Sequence, residues 1–180
     1  MSSSSLDPTL ADKPGVTLST RSGTSLRLRP ATLEDGPLLA ALFARLSPDS
    51  LRFRFLDARR QPSPADIAAM LSVDHRHSEH VLAFDALTCE LVGSLMLVAD
   101  ERMETAEVAI VVADDARGRG IGWSLLKHAA DLAKERGVSR LRSIESSANH
   151  DALEVEHALG FRARVYEDEP GLLIVEADLA

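Results

Sequence analysis

With one cysteine in 180 residues, the chain has no internal disulfide, and a reducing cytoplasm fits that usage. Cys89 stands in LTCEL, which reads as a hairpin turn. Its anionic neighbour Glu90 makes a poor setting for a nucleophilic thiolate. Aromatic residues are only 4% of the chain against 45% hydrophobic residues overall, so its core must be aliphatic. The longest apolar stretches, residues 95–99 and 108–113, are strand-sized, far short of the ~20 residues of a membrane span. The N-terminal MSSSSLDPTLADKPG lacks the basic region and apolar block of a secretory signal, and residues 1–24 are expected to form a disordered lead-in. GxSxG and HExxH are absent, which removes serine-hydrolase and zinc-protease readings.

Charge is abundant and uneven. Residues 1–80 carry ten Lys/Arg and nine Asp/Glu; residues 81–180 carry ten and nineteen, for a net −8. Nucleic acid is therefore disfavoured as a partner, and a cationic substrate would be drawn toward the C-terminal half. The alternative for most of these charges is a solvated acidic surface.

The hydrophobic pattern orders the elements. SLRLRP alternates as a short strand. Thr32, with Asp35 three residues on, opens a helix carrying Leu38, Leu39, Leu42, Phe43 and Leu46. LRFRFL (51–56) suits strand or helix. Ser63-Pro64 is a helix start. HVLAFDA and ELVGSLMLVAD form an antiparallel hairpin, and ETAEVAIVVA continues as a third strand. A helix follows over Ile121–Glu135 and ends at Gly137. RLRSIE is a strand, a helix runs from Asn149 or His150 to Leu159, and FRARVYE and GLLIVEADL close the chain as a strand pair. This order predicts a single mixed α/β (α+β) domain over residues 25–180. Its sheet is mainly antiparallel, with about six to seven strands flanked by about four helices.

Between the third strand of that run and the long helix lies DDARGRGIGWSLLKH. It lacks the lysine of a Walker loop, and Trp123 stands where a dinucleotide fingerprint needs its last glycine. What remains is Arg117-x-x-Gly120-x-Gly122 at a helix N-terminus. The first helical N–H groups lack intrahelical acceptors, and glycines let backbone approach an anion closely. Arg117 and Arg119 are unfavourable beside an empty helix N-terminus and sensible beside a polyanion. The bland reading is a tight turn with two solvated arginines.

The run AEVAIVVADDARGRGIGWSLL followed by ESSANHDALEVEHALGF resembles the acetyl-CoA-binding region of the GNAT superfamily of N-acetyltransferases, whose [QR]-x-x-G-x-[GA] signature is met by Arg117, Gly120 and Gly122. LSPDSLRFRFL narrows the resemblance to the catalytic domain of bacterial protein lysine acetyltransferases. The resemblance implies that the pyrophosphate of coenzyme A lies on the loop of Arg117, Gly118, Arg119, Gly120, Ile121, Gly122 and Trp123. It also implies that the pantetheine arm pairs with Ile110, Val111 and Val112, and that Asn149 is the family's later asparagine. The implied reaction is direct attack of an amine on the acetyl-CoA thioester, without a metal. The favoured acceptor is a protein lysine; a small amine such as a polyamine, an amino acid or an aminoglycoside-like compound is the runner-up. A non-catalytic acyl-CoA-binding module and a nucleotide-binding protein using the same loop are rivals from different functional classes. A homodimer is compatible with each of these readings.

A lysine amine (pKa ~10.4) must shed a proton, at about 4 kcal/mol near neutral pH. Glu107, a lone carboxylate in an apolar strand, is the candidate base; it shares a strand face with Ala109 and Val111 and matches the acidic residue of the lysine acetyltransferase subgroup. Its alternative is a solvent-facing residue paired with Arg102 or an arginine of the first strand. Where many GNAT enzymes carry a tyrosine acid, five residues before the GF phenylalanine, this chain has Glu156; Tyr166 comes too late, and His157 is expected to face solvent. His75, His77 and His80 read as a polar loop rather than a metal site. Arg52, Arg54, Arg59 and Arg60 could reach the cofactor's 3′-phosphate or adenine, or lie on a solvated face. EDEP (167–170) could attract a basic substrate or be a charged turn.

Overall fold

The computed structural model describes residues 14–57 and 61–179. Among them, eight strands form one sheet: β1 (Val16–Ser19), β2 (Ser25–Pro30), β3 (Ser78–Asp85), β4 (Leu91–Ala99), β5 (Thr105–Val112), β6 (Arg140–Ser146), β7 (Arg162–Val165) and β8 (Leu172–Asp178). Their spatial order is β1-β2-β3-β4-β5-β6-β8-β7, antiparallel at every seam except the parallel pair β5/β6. The helices are α1 (Gly36–Ala44), α2 (Pro48–Phe55), α3 (Pro64–Leu71), α4 (Ile121–Glu135) and α5 (His150–Ala158). The expected mixed fold stands, with slightly more strands and helices than the pattern indicated. No helix among the described residues is long and apolar enough to cross a membrane.

Period-2 alternation decides which helix covers which face. Leu125 and Ile121 of α4 lie against the Gly93 position of β4, and Gly122 lies against Val112 of β5. Leu95, Leu97, Val108 and Ile110 share that face. The opposite face meets α2 and α3: Arg54 reaches the Met96 sulfur at 3.4 Å, and Met96 is in register with Ala109. Leu26, Leu82, Leu95, Leu125 and Leu141 are fully buried, an aliphatic core as composition required. Helix α4 ends as predicted: Gly137 adopts φ +81°, with Val138 N–H donating to Ala133 O and Gly137 N–H to Lys134 O.

Three expectations change and one open reading is resolved. The sheet begins before residue 25, because Val16–Ser19 pairs with Ser25–Leu28 across the Thr20–Thr24 turn; residues 1–13 lie outside the described residues. LRFRFL is helical as part of α2, whose Ser47 side chain accepts from the Ser50 amide ahead of Pro48. The helix expected from Thr32 to Leu46 divides into a 3-10 turn at Leu33–Asp35 and α1. His80 is not in a loop but buried in β3, its Nδ1 2.9 Å from Met70 O, and burial pulls its pKa down to about 4. His75 and His77 turn to Glu79 and Asp74 instead.

Arg29 shares the polar side of β2 with Arg27 yet is buried, and it is satisfied by Asp35, with bidentate contacts of 2.7 and 2.8 Å between two fully buried side chains. Burial alone would raise the Asp35 pKa, but bonds from Arg29 and Thr32 outweigh it and hold the carboxyl below its usual range. That stabilisation is present above the unfolded carboxylate pKa of ~3.9 and is lost as pH falls through the lower folded value. Asp35→Ala strands a buried guanidinium and should cost about 3–5 kcal/mol in denaturant unfolding near neutral pH. A loss below about 1 kcal/mol would show that the pair does not hold β2 to α1.

Candidate active site

Strands β5 and β6 pair only at Thr105–Arg140, Ala106–Leu141 and Glu107–Arg142. Beyond that point β5 continues to Val112 and β6 to Ser146 without further register, so the sheet opens. The far end of β5 is tied to α2 instead. Asp114 accepts from the Ser47 amide and the Ser50 hydroxyl, each at 2.7 Å, and Asp115 pairs with Arg45 at 2.6 Å. Burial opposes the Asp114 charge, but these bonds prevail and lower its pKa.

A cavity of about 690 Å³ fills the opening, walled by α2, β5, the glycine loop, β6 and α5. Glu107, Ile110, Val111, Val112, Arg117, Gly118, Gly120, Ile121, Gly122, Trp123 and Asn149 all line it. Arg119 does not. Its guanidinium is paired with Asp85 and lies 3.4 Å from Thr24 Oγ1, while its carbonyl accepts from Ser22 Oγ at 2.6 Å. Arg119 thus fastens the glycine loop to the β1–β2 turn. Arg21 of that turn stacks over Trp123, 3.8 Å from the ring centroid.

Arg117 faces the cavity, but Ser50 Oγ at 3.0 Å, Asp114 at 3.2 Å and Asp151 at 3.4 Å hold it. An anion here would therefore meet mainly backbone. Gly120 caps α4 in the left-handed region (φ +73°), and the first N–H groups of α4 have no intrahelical acceptor. These features suit a long ligand, apolar along β5 and anionic at the helix end.

Glu107 lies at the closed corner of the opening, on the α2 face, 3.3 Å from Arg142 Nη2. Its partner is thus on the adjacent strand, not Arg102 or the first strand. Across the cavity are two carboxyls, Glu145, which the pattern did not single out, and Glu156, which stands where the resemblance puts an acid. Glu145, at the end of β6, is pushed up to about 8 by burial and by the Glu156 charge, against bonding from Asn149 Nδ2 at 2.9 Å and the Arg54 charge. Glu156 is pushed up to about 7 by burial, opposed by a short hydrogen bond from Ser143 Oγ. A carboxylate sharing a strand face with a buried serine is the signal RLRSIE carried. Arg54 contributes a desolvated guanidinium to the same wall, whereas Arg52 pairs with Asp49 on the surface; Arg59 and Arg60 lie outside the described residues. His157 is exposed, and Tyr166 begins the β7–β8 turn.

Residues 44–161 match the acetyltransferase (GNAT) family model. Acetyltransferase PA5475 of Pseudomonas aeruginosa is 32% identical over 145 residues, covering 77% of this chain and 76% of its own. Among solved structures, the GNAT domain of S. lividans PAT superposes with a TM-score of 0.84 and 26% identity, over 92% of this chain and 97% of that domain. Spermidine N-acetyltransferase from Vibrio cholerae, solved with CoA and spermine, shares the fold at a TM-score of 0.71 and 16% identity, over 86% and 95% of the two chains. The chain belongs to the GNAT acetyltransferase family.

Two glycines of the loop can be separated by substitution. Both have φ +73°, but a Cβ at Gly118 meets open space while one at Gly120 lies 3.3 Å from Thr20 Cβ. Gly118→Ala should cost about 1–2 kcal/mol of stability from backbone strain alone, and Gly120→Ala about 1 kcal/mol more. Equal losses on denaturant unfolding would mean that the β1–β2 turn does not press on the loop.

Proposed function

We propose that this GNAT-family chain transfers the acetyl group of acetyl-CoA to the ε-amine of a protein lysine in the cytoplasm, with Glu107 taking the amine's proton. The observation that carries the reading is the split between β5 and β6, with Glu107 at its closed corner and the glycine loop at its open end. Coenzyme A would bind with its pyrophosphate on the amides of the loop and its arm along Ile110, Val111 and Val112. The unpaired edge of β5 offers peptide-like hydrogen bonds to such an arm. Asn149, at the head of α5, borders the same channel.

The acceptor amine must be neutral to attack, and a carboxylate at the corner removes its proton directly or through a water. Arg142 orients Glu107 for that task. The nitrogen then attacks the thioester carbonyl, whose developing oxyanion is stabilised by a backbone amide on the unpaired edge of β5. No covalent intermediate with the protein is needed.

The protein-lysine acceptor is supported by the likeness to the GNAT domain of S. lividans PAT across nearly the whole chain. A polyamine is the second reading, favoured by the acidic wall of Glu107, Glu145, Asp151 and Glu154 around the cavity. A panel of lysine peptides and small amines, followed by CoA release, separates the two. Glu107→Gln should lower kcat about 10²–10⁴-fold while the acetyl-CoA Kd stays within twofold. Turnover within twofold of the parent across the pH range would remove Glu107 from the mechanism.

A further inference from the structure

We infer that Glu156 is a second proton-transfer group of this reaction, donating its carboxyl proton to the departing CoA sulfur from the sheet face opposite Glu107. The inference rests on the acetyl-transfer reading above.

Register and alternation put the two carboxyls on opposite faces of one point in the sheet. Glu107 and Arg142 are the last paired residues of β5 and β6 and share the α2 face. Ser143, the next residue, turns to the other face, where its hydroxyl bonds Glu156 of α5. Walking back along β5 from Val112 to Glu107 covers about 17 Å at ~3.3 Å per residue. An arm that starts at the α4 N-terminus and runs beside this strand ends at the same corner. A thioester held there has Glu107 on the side where an amine can approach and Glu156 on the other.

The state of Glu156 fits a donor. The residue is 4% exposed yet lines the cavity, and its Oε2 is buried without a hydrogen-bond partner in the protein. An ionised carboxylate with an orphaned oxygen is costly, whereas a carboxylic acid can direct that O–H at a sulfur in the cavity. The groups facing it are Ser143, which donates to it, and Glu145, both from β6; Glu145 in turn accepts from Asn149 at the head of α5 and faces the Arg54 guanidinium from α2. Two buried carboxyls confronting one cation keep a proton between them into the neutral range, and they titrate as a pair.

The step balances without a co-reactant. The N–C bond forms as the amine attacks, and its proton passes to Glu107. The C–S bond breaks, its electron pair goes to sulfur, and the Glu156 proton converts the thiolate to a thiol. Glu107 returns its proton to solvent and Glu156 recovers one through the cavity mouth, so the net change is one hydrogen moved from nitrogen to sulfur. An acid of pKa about 7 is suited to a leaving thiol of pKa ~8.5.

Glu156→Gln should lower kcat about 10²-fold or more, abolish the alkaline limb of the kcat–pH profile, and leave the acetyl-CoA KM within twofold. Ser143→Ala tests the same point without altering the acid. Because the serine bond favours the carboxylate, its removal should move that limb to higher pH. Acetyl-CoA must still raise the melting temperature of both variants, which establishes that they fold. Glu156→Gln with kcat within twofold and its alkaline limb intact overturns the inference. An infrared carboxylic-acid band at about pH 6.5, present in the parent, retained in part in Glu145→Gln and weakened by one carboxyl in Glu156→Gln, reads the proton without turnover. Its absence from the parent also overturns the inference. A parent chain that binds acetyl-CoA but releases no CoA to any amine overturns the acetyl-transfer reading instead.

Discussion

The site depends on β5 and β6 staying together for three residues and then parting. Inside a sheet, unpaired backbone N–H and C=O groups are costly, so a strand does not leave its neighbour without something to hold it away. Here the restraint is a cluster of charge-assisted bonds: Asp114 on Ser47 and Ser50, and Asp115 on Arg45. These bonds draw the end of β5 toward the start of α2, and the chain then turns through glycines into α4. The unpaired edge, the exposed helix N-terminus and the cavity between them are consequences of that single divergence. A peptide-like ligand with an anionic end is the natural complement of all three.

Charge around the opening is arranged in pairs rather than as a simple basic cradle. Arg119 belongs to Asp85, whose pKa it lowers, and Arg117 belongs to Asp114, Asp151 and Ser50. The arginines of the glycine loop therefore set its shape, and backbone dipoles supply most of the attraction for an anion. Deeper in, among the described residues, the three carboxyls of Glu107, Glu145 and Glu156 face the two cations Arg142 and Arg54, which leaves the inner cavity acidic and receptive to an amine. The two ends of the opening thus suit the two substrates of an acetyl transfer.

Much of this was legible in the sequence where periodicity and punctuation agreed. Helix α4 has the expected bounds because Gly120 and Gly137 bracket a clear 3.6-residue pattern, and the β3–β4 hairpin follows from long apolar runs around a short turn. In LRFRFL the two periods compete: Leu51, Phe53 and Phe55 alternate as in a strand, and only the Ser47-Pro48 start tips it to helix. Strand β1 was hidden because four residues carry little pattern and are defined by their pairing with β2. The glycine loop and Glu107 were visible from residue type and spacing. The side-chain attachments of Arg119, and the meeting of Ser143, Glu145 and Glu156, were not, since they join residues from separate elements across the fold.

The central claim is that acetyl-CoA occupies the split as an added strand along β5. Amide hydrogen exchange, read residue by residue with and without CoA, tests it most directly. The account predicts new protection at the β5 amides between Ala109 and Val112 and at the α4 N-terminus from Gly118 to Trp123, with β2 and β3 unchanged. Saturating CoA that leaves those amides exchanging at their original rates, or protects a different surface, would contradict it.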